Sequence, residues 1–153
     1  MNALFQLLPE AVGIVQAGSK DMILDQLADR FASVYELDHT PVLAAIRQRE
    51  AVGSTGFGRG IAIPHARITG INRPVAVFFR LARPVDFAAA DGMPVRFVFG
   101  LLSPENSGSA HLHALAAISR MMRDDRMAQA LAEAPNPEAL FGLLTNVSDR
   151  DAA

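Results

Sequence analysis

STGFGRGIAIPH, residues Ser54 to His65, sets three glycines ahead of a short apolar run, stops at a proline and presents a histidine. Ser54 and Thr55 place hydroxyls at the entrance, and Gly56 and Gly58 let backbone N–H groups come close to an anion. Pro64 fixes its own φ and pushes Ile63 into an extended conformation, so the chain reaches His65 in a defined direction. Proline has no N–H to give a sheet, which puts His65 at the end of a short strand over residues 61–63. A neutral imidazole is a competent nucleophile near neutral pH, and neighbours that cradle phosphate would suit it to accept a phosphoryl group. A loop histidine satisfied by hydrogen bonds is the plainer alternative for the residue taken alone.

Two better-known glycine motifs fail on this stretch. In the nearest Walker register, Gly53 to Gly60, Arg59 stands where the lysine belongs and Gly60 where the hydroxyl residue belongs. A dinucleotide fingerprint starting at Gly56 needs glycine at 61 and meets Ile61.

Working outward, residues 12–16 predict a short strand. Ser19 predicts the cap of a helix whose buried face is Ile23, Leu24, Leu27, Ala28 and Phe31. Thr40-Pro41 reads as a second helix start, with Val42, Leu43 and Ile46 apolar and the end running through Arg49 and Glu50 towards Gly53. Residues 74–85 and 95–102 are valine- and phenylalanine-rich strands whose near-continuous apolar character implies burial on both faces. Residues 103–110 form a polar loop before helices over 110–122 and 124–133. Asn136-Pro137 starts a last helix through Leu140, Leu143 and Leu144, and residues 148–153 read as a frayed, disordered tail. The pattern is an α/β or α+β single domain with a mixed β-sheet flanked by helices, of which α/β is the expectation.

Composition narrows the function. The 153 residues suit one domain with a real core. A formal net charge of −2 gives no global attraction to nucleic acid or anionic lipid. With no cysteine, disulfides and thiolate chemistry are excluded. The first residues lack a basic stretch followed by an apolar run of signal-peptide length, and no segment approaches the roughly 20 apolar residues of a membrane span. The expectation is a cytoplasmic protein, not inserted in a membrane.

The stretch GSTGFGRGIAIPHAR, preceded by Arg49-Glu50, resembles the phosphorylation site of IIA proteins of the bacterial phosphoenolpyruvate-dependent phosphotransferase system. The resemblance is to the fructose–mannitol class and, within it, to the nitrogen-regulatory IIA proteins. It extends to PVDFAAADGMPVRFVFGLLSP and to HLHALAAISRMM, so residues 4–147 are expected to form a IIA type-2 domain. It implies that His65 takes a phosphoryl group on Nε2 from an HPr-like carrier protein, with Arg49 and a second histidine completing the site. Phosphate would be held by Arg49, by Ser54 or Thr55, and by the backbone at Gly56 and Gly58. No cofactor and no metal are implied. The protein would be a phosphotransferase component with a phosphohistidine intermediate, regulating partner proteins according to phosphorylation state. The alternatives are a sugar-specific IIA that passes phosphate to a separate IIB, and a non-catalytic binding module. Arg59 departs from the asparagine-like residue frequent between these glycines, and Ala66 from the frequent glycine after the histidine.

The second histidine is His111 or His113. At about 100° per residue they stand about 200° apart on a helix and cannot face one site together. His111 lies at the edge of a stripe read as Leu112, Leu115, Ala116 and Met122, whereas His113 points away, so His111 is assigned to the site. A three-histidine metal site would need both on one face, and no carboxylate at ligand spacing completes it. Arg47 falls on another face from Arg49 and is the weaker phosphate candidate. The phenylalanines of the two long strands read as core, and MMRDDR as a helix break of mixed charge.

Overall fold

The computed structural model describes residues 4–152, with side chains through residue 146. The two long apolar runs form the centre of the sheet. Strand β5 (Val75–Val85) and strand β6 (Val95–Pro104) pair antiparallel, with Phe78 opposite Phe99. Strand β1 (Val12–Val15) lies parallel to β5 on one side. On the other side of β6 lie β3 (Ile61–Ala62) and β4 (His65–Ile68), both parallel to β6, and β2 (Gly56–Gly58) pairs antiparallel with β3. The sheet has six strands in the order β1-β5-β6-β3-β2, with β4 also on β6.

Alternation along β5 divides the core in two. Val75, Val77, Phe79 and Leu81 face α1 (Lys20–Tyr35) and α2 (His39–Val52). Ala76 and Phe78 face α3 (Ala110–Arg123), α4 (Asp125–Glu133) and α5 (Pro137–Ala152). Both faces of the central strands are buried, as continuous apolar runs require. Gly100 of β6 carries no side chain because α1 leaves no room: a Cβ there would lie 3.0 Å from the Phe31 ring.

The capping signals at Ser19 and Asn136 act as read, accepting from the N–H groups of Met22 and Ala139. The second helix differs: Asp38, not Thr40, is its cap residue, and Pro41 sits within the first turn, where its missing N–H has no helical partner to lose. The break in MMRDDR has a definite agent, since the Asp124 carboxylate accepts from the N–H groups of Arg126 and Met127 to start α4. The stripe on α3 is misphased in the sequence reading. Ala114, Ile118, Met121 and Met122 are its buried apolar residues, while Leu112 is 61% exposed and Ala116 is exposed. The backbone of α5 is helical to Ala152; residue 153 and the side chains from 147 onward, where the frayed tail was expected, lie outside the described residues. Among the described residues no helix is long and apolar enough to cross a membrane.

Candidate functional site

Pro64 interrupts one edge of β6 rather than ending it. Its carbonyl accepts from the Leu101 N–H at 3.0 Å, and the chain resumes pairing at once, with His65 opposite Leu101. His65 is therefore the first residue of β4 and not the last of the preceding strand. A proline serves as the joint between two short strands because its absent N–H costs one ladder bond and leaves the carbonyl side intact.

In β4 the side chains alternate. Ala66 and Ile68 are buried, whereas His65 is half-buried and Arg67 exposed. The His65 Nδ1 lies 2.7 Å from the Ile63 carbonyl oxygen. A carbonyl only accepts, so Nδ1 carries the proton and donates it, and in the neutral ring Nε2 keeps its lone pair. Burial lowers the His65 pKa below the usual imidazole value, and the Arg49 guanidinium adds to this; the Ile63 hydrogen bond and Glu50 oppose it. The ring is thus held neutral and in one tautomer.

His111, at the start of α3, is buried, and its ring centroid stands 5.5 Å from that of His65. Its Nδ1 lies 2.6 Å from the hydroxyl of Ser103, a fully buried residue of β6. Burial, then the His65 and Arg67 charges, push its pKa down to about 4. His113 is exposed. The helical-wheel argument singles out the histidine that the structure places beside His65, even though the apolar stripe that supported it is displaced.

His65, His111, Arg49, Arg67, Gln48 and Val52 line one open cleft of about 420 Å³. Arg49 reaches it from the last turn of α2, where its Nη1 donates to the Gly53 carbonyl at 2.9 Å. Arg47 is on another face and pairs with Asp25 at 3.1 Å. Arg67 has no assigned role in the sequence reading. The signal is the two-residue period of a strand starting at His65, where the sequence reading assigns no strand.

The glycine stretch is built differently from its expected role. The Thr55 N–H and hydroxyl donate to the two carboxylate oxygens of Glu50 at 2.8 and 2.6 Å. The Ser54 hydroxyl donates to the Phe87 carbonyl at 2.8 Å and accepts from the Gly56 N–H at 3.1 Å. Gly56 lets the backbone at Ala89 approach, since a Cβ would lie 3.0 Å away from its side chain; Gly58, at φ 106°, packs against Asp91. Arg59 has φ 62°, gives its N–H to Asp91 and pairs its guanidinium with Asp125 of α4. Ser54, Thr55, Gly56 and Gly58 are not among the residues that line the cleft. Their polar groups hold the loop to α2 and to the segment after β5.

Glu50 is the residue that sequence reasoning passed over. It is 8% exposed and joins three elements: Lys20 Nζ of α1 pairs with it at 2.8 Å, and Thr55 is bound to it twice. It fixes the end of α2, and with it Arg49, relative to the strand that delivers His65.

Comparison with known proteins extends the likeness beyond the motif. The model of the family described as phosphoenolpyruvate-dependent sugar phosphotransferase system, EIIA 2, matches residues 7–147. A nitrogen regulatory protein of Pseudomonas aeruginosa is 40% identical over 136 residues, 88% of this chain and 88% of that protein. One of Bradyrhizobium diazoefficiens is 38% identical over 137 residues, covering 89% and 90%. The crystal structure of nitrogen regulatory protein IIA-Ntr from Neisseria meningitidis aligns with a TM-score of 0.84 at 31% identity, covering 90% of this chain and 95% of that one. These spans take in the sheet and both helical layers together.

Proposed function

This chain belongs to the EIIA 2 family of the phosphoenolpyruvate-dependent sugar phosphotransferase system, and from that premise we propose that it is a phosphocarrier of the nitrogen-regulatory kind, accepting a phosphoryl group on His65 Nε2. The observation that carries the proposal is the 2.7 Å contact between His65 Nδ1 and the Ile63 carbonyl. It leaves Nε2 with a lone pair, with no proton to remove before attack.

The step balances without a base. Nε2 forms a bond to the phosphorus of a phosphohistidine on an HPr-like carrier, the carrier's P–N bond breaks, and its imidazole keeps the electron pair. Nδ1–H stays on the Ile63 carbonyl and stabilises the positive charge that develops on the His65 ring. Arg49 offsets the charge of the incoming group. The Ser103 hydroxyl at His111 Nδ1 fixes the orientation of that ring, and the tautomer protonated at Nε2 offers its N–H to a phosphoryl oxygen. Such transfer needs positioning and charge stabilisation more than covalent help. Ser54, Thr55, Gly56 and Gly58 contribute by holding the loop through the Glu50, Phe87 and Asp91 contacts. The phosphoryl group changes local charge by about −1.5 to −2. At an open cleft this alters which target proteins the surface accepts, and regulation follows from that.

The test is transfer from phosphoenolpyruvate through enzyme I and an HPr-like carrier, read by intact mass at neutral pH with His65→Ala in parallel. One acid-labile phosphoryl group on the parent chain and none on the variant is the expected result. A parent chain left unmodified by either HPr or its nitrogen-branch counterpart would refute the proposal.

A further inference from the structure

Building on the reading of His65 as phosphoryl acceptor, we propose that Arg67 is a second phosphate-binding residue of the site, held ready by the turn that precedes α3. His65 and Arg67 share one face of β4, two residues and about 6.6 Å apart along the strand. Both line the cleft with Arg49 and His111. The Arg67 Nη1 donates to the Ser107 hydroxyl at 3.0 Å and to the Gly108 carbonyl at 3.3 Å. Its Nε and Nη2 have no hydrogen-bond partner among the described residues, so three of the five N–H donors of a guanidinium remain to be used.

The arrangement answers the chemistry of the product. A phosphoryl group on Nε2 brings three strong acceptor oxygens and about two negative charges. Arg49 approaches from the end of α2 and Arg67 from β4, so the two guanidinia come from separate elements, and the residues lining the cleft include no carboxylate. The tether to Ser107 and Gly108 limits the rotamers that Arg67 explores, which lowers the ordering cost of binding. Its charge already reaches the site, because it contributes to the low pKa of His111. A purely structural Arg67 would serve only to hold the turn, and that role predicts a different mutational pattern.

The test phosphorylates the full chain with potassium phosphoramidate, which needs no carrier. Nε2 forms the new P–N bond, the reagent's P–N bond breaks, and ammonia leaves with the electron pair. The initial rate of phosphorylation at His65 is followed by intact mass, with His65→Ala as blank. For an exposed charge-assisted contact, Arg67→Gln is expected to slow the reaction about 5- to 10-fold. Arg67→Lys, which keeps the charge and loses the fork, should slow it about 2- to 3-fold. Ser107→Ala, which loosens the tether and keeps the guanidinium, should stay within about 2-fold. Equal rates in Arg67→Gln and the parent would overturn the proposal, as would a larger loss in Ser107→Ala than in Arg67→Gln. Should Arg67→Gln not fold, Arg67→Lys at the parent rate overturns it. A parent that reacts with phosphoramidate but not with the carrier refutes the phosphocarrier reading yet leaves His65 an acceptor, and the rate ratio still judges Arg67. A parent that reacts with neither overturns both.

Discussion

Replacing Glu50 by glutamine removes one charge from the centre of the framework and keeps its shape. The Glu50 side chain is 5% exposed and that of Lys20 26%. Breaking a buried ion pair by neutralising one partner typically costs about 3–5 kcal/mol. Two features moderate the loss here. Lys20 keeps a contact to the Phe87 carbonyl at 3.3 Å and lies 4.6 Å from the Phe87 ring centroid, and a glutamine can still accept from the Thr55 N–H. The expected destabilisation is therefore about 2 kcal/mol, a fall in Tm of about 4–8 °C for a chain of this size. Urea unfolding of the parent, Glu50→Gln, Lys20→Met and the double variant measures it. Lys20→Met should cost about 3 kcal/mol, because it strands a charge deeper than the lysine's own. The double variant should recover about 2 kcal/mol of the summed losses. A Glu50→Gln variant within about 0.5 kcal/mol of the parent, or strict additivity, would refute the idea that this pair clamps the end of α2 to α1.

The site also sets a pH dependence. The His111 pKa is pushed down to about 4 in the folded chain and that of His65 is lowered too, so between pH 4 and 6.5 the unfolded chain binds protons that the folded one refuses. Stability from these groups is present above pH 6.5 and is lost as pH falls; thermal scans should show Tm dropping through this window, with a shallower drop in His111→Gln. A drop of equal slope in that variant would contradict the assignment. Gly100→Ala should destabilise by about 1–3 kcal/mol, since the new methyl meets Phe31 and Leu27 at 3.0–3.1 Å. Gly53→Ala, with nothing within 4 Å and an extended φ of 165°, should stay within about 0.5 kcal/mol in the same denaturant assay. Equal losses at the two glycines would count against the α1–sheet packing described.

What the sequence disclosed and what it hid follow from the range of the forces involved. The two long strands were legible because burial on both faces writes itself as an uninterrupted apolar run. Ser19 and Asn136 were legible because a cap acts over three residues. Thr40 misled because Asp38 and Thr40 are both plausible starts two residues apart, and only backbone geometry separates them. β2 and β4 escaped notice because their pairing comes from β3 and β6, and glycine and proline read locally as breakers. His65, Arg49 and His111 were singled out through the motif and the helical wheel, and the structure brings them to one cleft. Arg67 and Glu50 were not, since one depends on β4 being a strand and the other on a buried ion pair with Lys20, thirty residues away in sequence. A similar distance explains Ser54, whose hydroxyl suggested phosphate while its partner Phe87 lies 33 residues on; the Thr55 hydroxyl instead turns back to Glu50, five residues before it, where the chain leaves α2.

The most direct measurement is nitrogen-resolved NMR of the His65 ring, before and after phosphorylation, in protein labelled at the histidine nitrogens. The account predicts a neutral ring protonated at Nδ1 at neutral pH and, afterwards, phosphorus coupled to Nε2 of His65 with Nδ1–H retained. A free ring protonated at Nε2, or a phosphoryl group on Nδ1 or on another histidine, would contradict it.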